Sequence, residues 1–221
     1  MHNSGMSYRC EAKNADAFVQ QVANYVAAGY RYHVSGVIPE KKDPTAVDRK
    51  LIGQYGVNIS KWAKARRKKA GGANVQYLRY ERFFVLLVTP GRHPIHDEEP
   101  GIKDIHRNPI RFQGYSIGCG LGRDGRYHAS VRIHMEEYRR LKAYFLGMAV
   151  HRSEQTLARE FRRLPFVPYA PVRQQLLNLL RGVNRERSLA GYSRLPISVL
   201  KLSRVPIKVY ADDFPPQHLA A

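Results

Sequence analysis

The stretch that decides the fold is Phe83-Phe-Val-Leu-Leu-Val88, an unbroken run of six apolar residues near the middle of the chain. It lies within a predicted strand over Gln76–Thr89, which ends at Pro90-Gly91. A strand that is apolar on both faces is covered by other layers on both sides. The run therefore predicts a central strand of a sheet.

Three more strands are predicted around this one, over Tyr30–Ile38, Ile110–Ile117 and Arg126–His134. The last shows the clearest alternation of apolar and polar residues, which is typical of a strand with one packed face and one open face. The Gly-rich segment Gly118–Gly125 joins the last two strands and predicts a hairpin.

Helical patterns surround the strands. A helix is predicted over Asn14–Ala28, and a second begins at Asp43-Pro44, an N-cap followed by proline, and runs to Tyr55. Three further helices are predicted late in the chain, over Glu136–Val150, Ser153–Leu164 and Val172–Ala190. This order predicts an α+β fold, with a mixed, mainly antiparallel ferredoxin-like sheet, helices on one face and an appended C-terminal helical module.

The segment Phe166–Pro171 is a stiff connector, because each proline fixes its own torsion and disfavours helix in the residue before it. We place a domain boundary there. Residues 1–165 form the sheet domain with its basic helix, and residues 166–221 form the helical module with a short extended segment, Ile207–Tyr210.

Charge points to the class of partner. The chain carries 37 Lys and Arg against 18 Asp and Glu, a formal net charge of +19. Between Arg111 and Lys208 there are nineteen cationic residues, of which sixteen are Arg, the side chain that binds phosphates bidentately. A polyanion, and nucleic acid first of all, is the partner that this excess predicts.

A short basic helix is predicted over Lys61–Lys69, with Ser60 as its N-cap and Gly71-Gly72 as its stop. Six of its nine residues are cationic, which predicts contacts with phosphates, although a solvated helix face has the same pattern. The candidate residues are Lys61, Lys64, Arg66, Arg67, Lys68 and Lys69.

A second binding surface is predicted on the sheet. If the first and the last predicted strands are neighbours, Arg31, His33, His128 and Arg132 share a polar face able to bind phosphates and stack on bases. An ordinary solvated sheet face gives the same pattern.

The segment His93–His106 holds three His and four carboxylates. Imidazole and carboxylate are ligands for a divalent ion such as Mg²⁺ or Mn²⁺, which nucleases use to activate a nucleophile. His93, His96, Asp97 and Glu99 are the candidate ligands, although no stereotyped spacing is present and local charge balance is the alternative.

Tyr138 follows the His-bearing strand on a predicted helix and is a candidate nucleophile. The combination is partly similar to rolling-circle initiators and single-strand transposases, mobile-element enzymes with a ferredoxin-like sheet, a His-hydrophobe-His metal pair and a helix-borne Tyr. In this chain His93 and His96 are one residue too far apart, and His128 and His134 are six apart. Neither pair satisfies the motif, so the chain is not assigned to that family, and core packing is the alternative role of Tyr138.

Other classes have no anchor in the sequence. No apolar run is long enough to span a membrane, and Cys10 and Cys119 have no metal or redox spacing, so a cytoplasmic protein that does not bind membranes is expected. Walker A, dinucleotide, Gly-x-Ser-x-Gly and kinase motifs are absent.

The sequence therefore predicts a nucleic-acid-binding protein, with RNA or single-stranded DNA favoured because the chain is rich in Arg and Tyr and lacks a recognition-helix motif. A metal-dependent nuclease or strand-transfer enzyme is the alternative. A structural ribonucleoprotein subunit that assembles with protein partners is the third class.

Overall fold

The computed structural model describes residues 8–122 and 124–211. The helices of this part of the chain are α1 (Ala15–Ala27), α2 (Pro44–Gln54), α3 (Lys61–Lys69), α4 (Ile95–Glu98), α5 (Met135–Met148), α6 (Glu154–Arg163), α7 (Ala170–Leu189) and a 3-10 turn, η1 (Ile197–Val199). The strands are β1 (Tyr32–Val37), β2 (Val75–Tyr80), β3 (Phe83–Val88), β4 (Lys103–Asp104), β5 (Ile110–Phe112), β6 (Tyr115–Leu121) and β7 (Tyr127–Ile133).

The strands form two antiparallel sheets, which confirms the α+β class. The first sheet has the order β2-β3-β1-β4, and the second has the order β5-β6-β7. In the first, β3 pairs with β1 in the register Tyr32↔Val88 and with β2 in the register Tyr80↔Phe83. The apolar run is therefore a central strand, as predicted.

The outer edge of β2 is also paired. The backbone N–H of Arg79 donates to the Cys10 carbonyl at 2.7 Å, and the Ala12 N–H donates to the Arg79 carbonyl at 2.8 Å. Glu11 and Arg79 thus form a parallel bridge. A short N-terminal segment, residues 10–12, covers hydrogen-bonding groups that an edge strand leaves open.

Two predicted strands are each divided by a tight turn. The strand predicted over Gln76–Thr89 breaks at Glu81, whose φ is +51°, and becomes the hairpin of β2 and β3. The strand predicted over Ile110–Ile117 breaks at Gln113 and Gly114, with φ of +42° and +79°. Two successive positive φ values are what a two-residue hairpin turn needs, but Glu and Gln are uncommon there.

The described residues divide into two compact units, each with its own core. Unit one holds those of Met1–Ile110, Gly118–Ala129 and Ile207–Ala221, and unit two holds Arg111–Ile117 and Ser130–Pro206. A buried cluster in unit one joins the first sheet to its helices and loops. Its members are Tyr55, Val57, Ala73, Val75, Tyr77, Leu86, Val88 and Ile95.

The core of unit two lies among α5, α6 and α7. The rings of Phe145 and Phe161 stack with their centroids 4.2 Å apart. The proline-rich connector is fixed in this unit, because the Tyr115 hydroxyl donates to the Pro165 carbonyl and accepts from the Val167 N–H at 2.7 Å. The boundary predicted at 165/166 thus falls inside unit two.

A helix that crosses a bilayer must be long and predominantly apolar. In residues 8–122 and 124–211, none of the helices has the length and apolar character needed to cross a bilayer.

Candidate nucleic-acid interface

Helix α3 forms with the bounds that the sequence predicts. The Ser60 hydroxyl accepts from the Ala63 N–H at 3.2 Å, so it satisfies one of the free donors of the first turn. The helix ends at Ala70, and Gly71 follows with a φ of +76°. No residue of α3 is buried, so this is a surface helix.

One side of α3 is anchored to the loop that follows it. The Asn74 side-chain amide donates to the Lys64 carbonyl at 3.0 Å, and the Gly72 N–H donates to the Arg67 carbonyl at 2.9 Å. A β-carbon on Gly72 would lie 2.9 Å from Cγ of Arg67, so only glycine lets the arginine stem pack there. Partial burial, and then the charge of Arg67, lower the pKa of Lys64. Lys64 and Arg67 therefore belong to the anchored side.

The other side of α3 carries uncompensated positive charge on four exposed side chains, those of Lys61, Arg66, Lys68 and Lys69. No cation of α3 forms an ion pair with a carboxylate of the described residues. Cations near a helix C-terminus interact favourably with the macrodipole, but that dipole end is equivalent to only about half a negative charge. Most of the charge is left for an external anion.

Trp62 is the residue of this surface that the sequence reasoning did not select. It is the only tryptophan of the chain, it is 71% exposed, and Nζ of Lys61 lies 5.3 Å from its ring centroid. The signal was available: apart from Ala, Trp62 is the only apolar residue of α3, so the helix has no apolar stripe with which to bury it. An exposed indole among cations can stack on a base.

Arg92 extends the charge beyond the helix. Its N–H donates to the Gly71 carbonyl at 3.0 Å and its carbonyl accepts from the Ala73 N–H at 2.9 Å, so its backbone is held beside the end of α3. Its side chain is exposed. We call α3 together with Arg92 the basic surface.

The second predicted surface, the sheet platform, depends on two strands being neighbours in one sheet, and this condition is not met. Its two strands are β1 and β7, which belong to different sheets. Sequence alternation shows which side chains share a face of one strand, but not which strands are neighbours.

His33 and Arg31 of this predicted platform make contacts within unit one. His33 is only 2% exposed, and its Nε2 lies 2.8 Å from the Asn108 carbonyl. Burial lowers the pKa of His33, which favours the neutral ring. Arg31 donates to the Val26 carbonyl at 2.8 Å and lies 5.8 Å from the ring centroid of Tyr127.

The two β7 residues of the predicted platform are exposed. Nε2 of His128 lies 2.9 Å from both carboxylate oxygens of Asp124, so an acidic group occupies its accessible side. Nε of Arg132 donates to the Ser130 hydroxyl at 3.2 Å. Arg132 therefore has no carboxylate partner among the described residues, whereas His128 contacts the Asp124 carboxylate.

The four candidate metal ligands do not converge. Among the described residues, no group of three His, Cys, Asp or Glu side chains is arranged to hold a metal ion. The Glu99 carboxylate accepts from the Tyr55 hydroxyl at 2.5 Å, Nδ1 of His93 accepts from the Ile95 N–H at 3.2 Å, and His96 meets the ring of Tyr32 edge-on.

A neighbouring contact gives this segment a structural role. The Glu98 carboxylate, next to the exposed Asp97, accepts from the Gln54 amide at 3.1 Å. Two carboxylates thus bind the last residue of α2 and the residue after it, which ties the end of α2 to this segment. The structure provides no site for Mg²⁺ or Mn²⁺ in this segment.

Tyr138 has a packing role. It is half-buried, its hydroxyl donates to the Gln175 carbonyl at 3.2 Å, and burial raises its pKa. A raised pKa opposes formation of the phenolate that would attack a phosphodiester. Among the described residues, the Tyr138 hydroxyl is hydrogen-bonded to a backbone carbonyl and not to a basic side chain, and no group of three His, Cys, Asp or Glu side chains is arranged to hold a metal ion.

Comparisons with known proteins identify no family. No protein-family model matches the chain, and a search of curated proteins finds no relative with significant similarity.

Proposed function

We propose that the chain binds nucleic acid through the basic surface, with single-stranded DNA or RNA as the favoured ligand. The observation that carries the proposal is an exposed tryptophan among four exposed cations that have no carboxylate partner in the described residues. Phosphates are bound by the cations, and binding releases the counterions condensed on the polymer.

Trp62 favours an unpaired strand over a duplex. A base in a duplex presents only its edges in the grooves, whereas an unpaired base presents a whole face on which an aromatic ring stacks. Stacking of this kind contributes about 1–3 kcal/mol per base and depends little on sequence. The basic surface is thus suited to sequence-tolerant binding of single strands or RNA loops.

The first prediction concerns the salt dependence of binding. The variant Lys61→Gln, Arg66→Gln, Lys68→Gln, Lys69→Gln keeps Trp62 but removes the phosphate contacts. We expect the slope of log affinity against log salt for a labelled twenty-nucleotide dT or rU strand to fall by about 0.7 for each lost contact, or roughly 3 in all. Fluorescence anisotropy between 50 and 200 mM salt measures it.

A matched control removes the same charge from elsewhere in unit one. Lys41, Lys42, Arg49 and Lys50 are exposed cations outside the basic surface, and their change to Gln lowers the net charge by the same amount. The control variant should keep the wild-type slope. Equal slopes for all three proteins would refute the role of α3.

The single tryptophan reports on the same surface directly. A base that stacks on Trp62 quenches its emission, so an oligonucleotide titration should quench the tryptophan fluorescence of the wild-type protein. The variant Trp62→Ala has no tryptophan emission to quench, and it should still bind the oligonucleotide, with lower affinity. Unchanged emission at saturation would refute stacking. Binding to anionic vesicles but not to oligonucleotides would assign the basic surface to a membrane and overturn the proposal.

A further inference from the structure

The end of α7 carries a second cationic feature, built on a turn of the backbone. After the helix, Gly191 adopts a φ of +78° and the chain reverses. The Asn184 side chain then holds the segment that follows the turn, because its amide donates to the Leu195 carbonyl at 2.9 Å and its carbonyl accepts from the Leu195 N–H at 2.8 Å. Residue 194 is thereby fixed beside the last turns of α7.

A buried cation holds the inner side of this turn. Arg187 is only 4% exposed, and its guanidinium donates to the carbonyls of Ser193 at 2.7 Å and Ala149 at 3.0 Å. Carbonyl acceptors satisfy its hydrogen bonds but do not neutralise its charge. The turn is rigid and carries positive charge within it.

Three exposed arginines surround a groove of about 490 Å³ at this position, and we call it the Arg groove. Its lining residues are Arg181, Asn184, Arg185, Ser188, Leu189 and Arg194. Arg181 and Arg185 are four residues apart and so lie on the same face of α7.

Neutral groups position two of these three arginines. Nη1 of Arg181 donates to the Asn178 side-chain carbonyl at 2.9 Å, and Nε of Arg194 donates to the Ser188 hydroxyl at 2.8 Å. Arg185 has no hydrogen bond or ion pair with a described residue. A guanidinium has five N–H donors, so each arginine keeps donors for a ligand.

The positive charge of the Arg groove has no carboxylate partner among the residues that line it. No carboxylate lines the groove, and Glu154 accepts from the Ser193 hydroxyl at 3.2 Å rather than from an arginine. The C-terminal end of the α7 dipole is equivalent to about half a negative charge, against three guanidinium groups.

The lining also limits what the ligand is. Guanidinium groups recognise phosphate bidentately. The Arg groove has no aromatic side chain on which a base could stack, and no carboxylate that could read a base edge. Such a surface positions a phosphate backbone without reading its sequence.

We propose that the Arg groove binds backbone phosphates of the same nucleic acid, as a second and sequence-independent contact. The ligand class rests on the proposed function, but the residues belong to unit two and are independent of α3. Two phosphate-binding surfaces also account for the division of the charge excess between the basic helix and the Arg-rich second half of the chain.

The second prediction tests the Arg groove with the variant Arg181→Gln, Arg185→Gln, Arg194→Gln. The control is Arg159→Gln, Arg162→Gln, Arg173→Gln, which removes three other exposed arginines of unit two. Anisotropy with twenty-nucleotide dT, dA and rU strands should give a salt slope reduced by about 2 in the groove variant and unchanged in the control. Quenching of Trp62 at saturation should persist in the groove variant.

The outcomes separate this inference from the proposed function. Loss of slope in the groove variant, with no loss in the α3 variant, would support the Arg groove and refute the role of α3. The reverse result would refute the Arg groove alone. A loss of affinity that differs among dT, dA and rU would overturn its sequence-independent role, and circular dichroism melting confirms that each variant is folded.

Discussion

At the scale of single residues, Asp48 is a buried acidic side chain at the centre of a polar network in unit one. It is 5% exposed, and its carboxylate accepts from the Tyr77 hydroxyl at 2.6 Å and from Nε of Arg79 at 3.0 Å. Arg79 is also buried and pairs further with Glu11 at 2.8 Å. Burial, and then the charge of Asp48, raise the pKa of Cys10 to about 12, so this thiol stays protonated and unreactive.

The third prediction is that Asp48→Asn lowers the free energy of unfolding by about 3 kcal/mol, because the buried guanidinium of Arg79 loses half of its compensation. Asp43→Asn makes the same chemical change at the exposed N-cap of α2, where Asn caps as well as Asp, and should cost less than about 0.5 kcal/mol. Urea denaturation at pH 7 measures both. Equal effects of the two substitutions would contradict the buried network.

At the scale of elements, the sequence correctly predicted features that depend on contacts between residues close together in the chain, such as the ends of a helix. Ser60 and Gly71 bound α3 as expected because capping is a contact over three or four residues. The turns at Glu81 and Gln113 were missed because neither residue favours the positive φ that it adopts. The candidate site shows the same limit. Helix α3 was predictable from local sequence. Whether β1 and β7 are neighbours, and whether the acidic side chains converge, depends on contacts between distant parts of the chain, and neither expectation was met.

The fourth prediction compares Gly72, which contacts the stem of Arg67 in α3, with Gly53 of α2. Gly53 lies in α2 with nothing within 4 Å of an added β-carbon, so Gly53→Ala should raise the free energy of unfolding by about 0.5–1 kcal/mol. Gly72→Ala places its β-carbon 2.9 Å from the Arg67 stem and should lower it by about 1–3 kcal/mol. Thermal denaturation shows whether each substitution stabilises or destabilises the protein. A stabilising Gly72→Ala would show that the Arg67 stem moves away from the added β-carbon at no cost in free energy.

At the scale of the whole molecule, the chain passes between the two units several times. Unit one contains segments from the beginning, the middle and the end of the chain, and β6 and β7 each contribute residues to both units. Neither unit is a continuous stretch of sequence. Folding of each unit therefore requires contacts between residues far apart in the chain, which slows folding relative to a simple helical bundle.

The fifth prediction concerns truncation at residue 165. A fragment of residues 1–165 keeps α5 and α6 but loses α7, whose buried side chains complete the core of unit two. We expect this fragment to expose that core, bind the dye ANS and lose cooperative melting, because α5 loses the side chains of α7 against which it packs. A fragment that melts as cooperatively as the full chain, without dye binding, would contradict the assignment of residues 130–206 to one unit.

The pairing of residues 10–12 with β2 has a consequence for handling the protein. Without that segment, β2 would present a free row of N–H and C=O groups, the kind of edge on which strands of separate molecules stack. An N-terminal deletion through residue 12, or a fusion that displaces this segment from β2, should increase light scattering and the formation of cross-β material relative to the unaltered chain. Purification tags are accordingly better placed away from this end, so that the hydrogen bonds between residues 10–12 and β2 are kept.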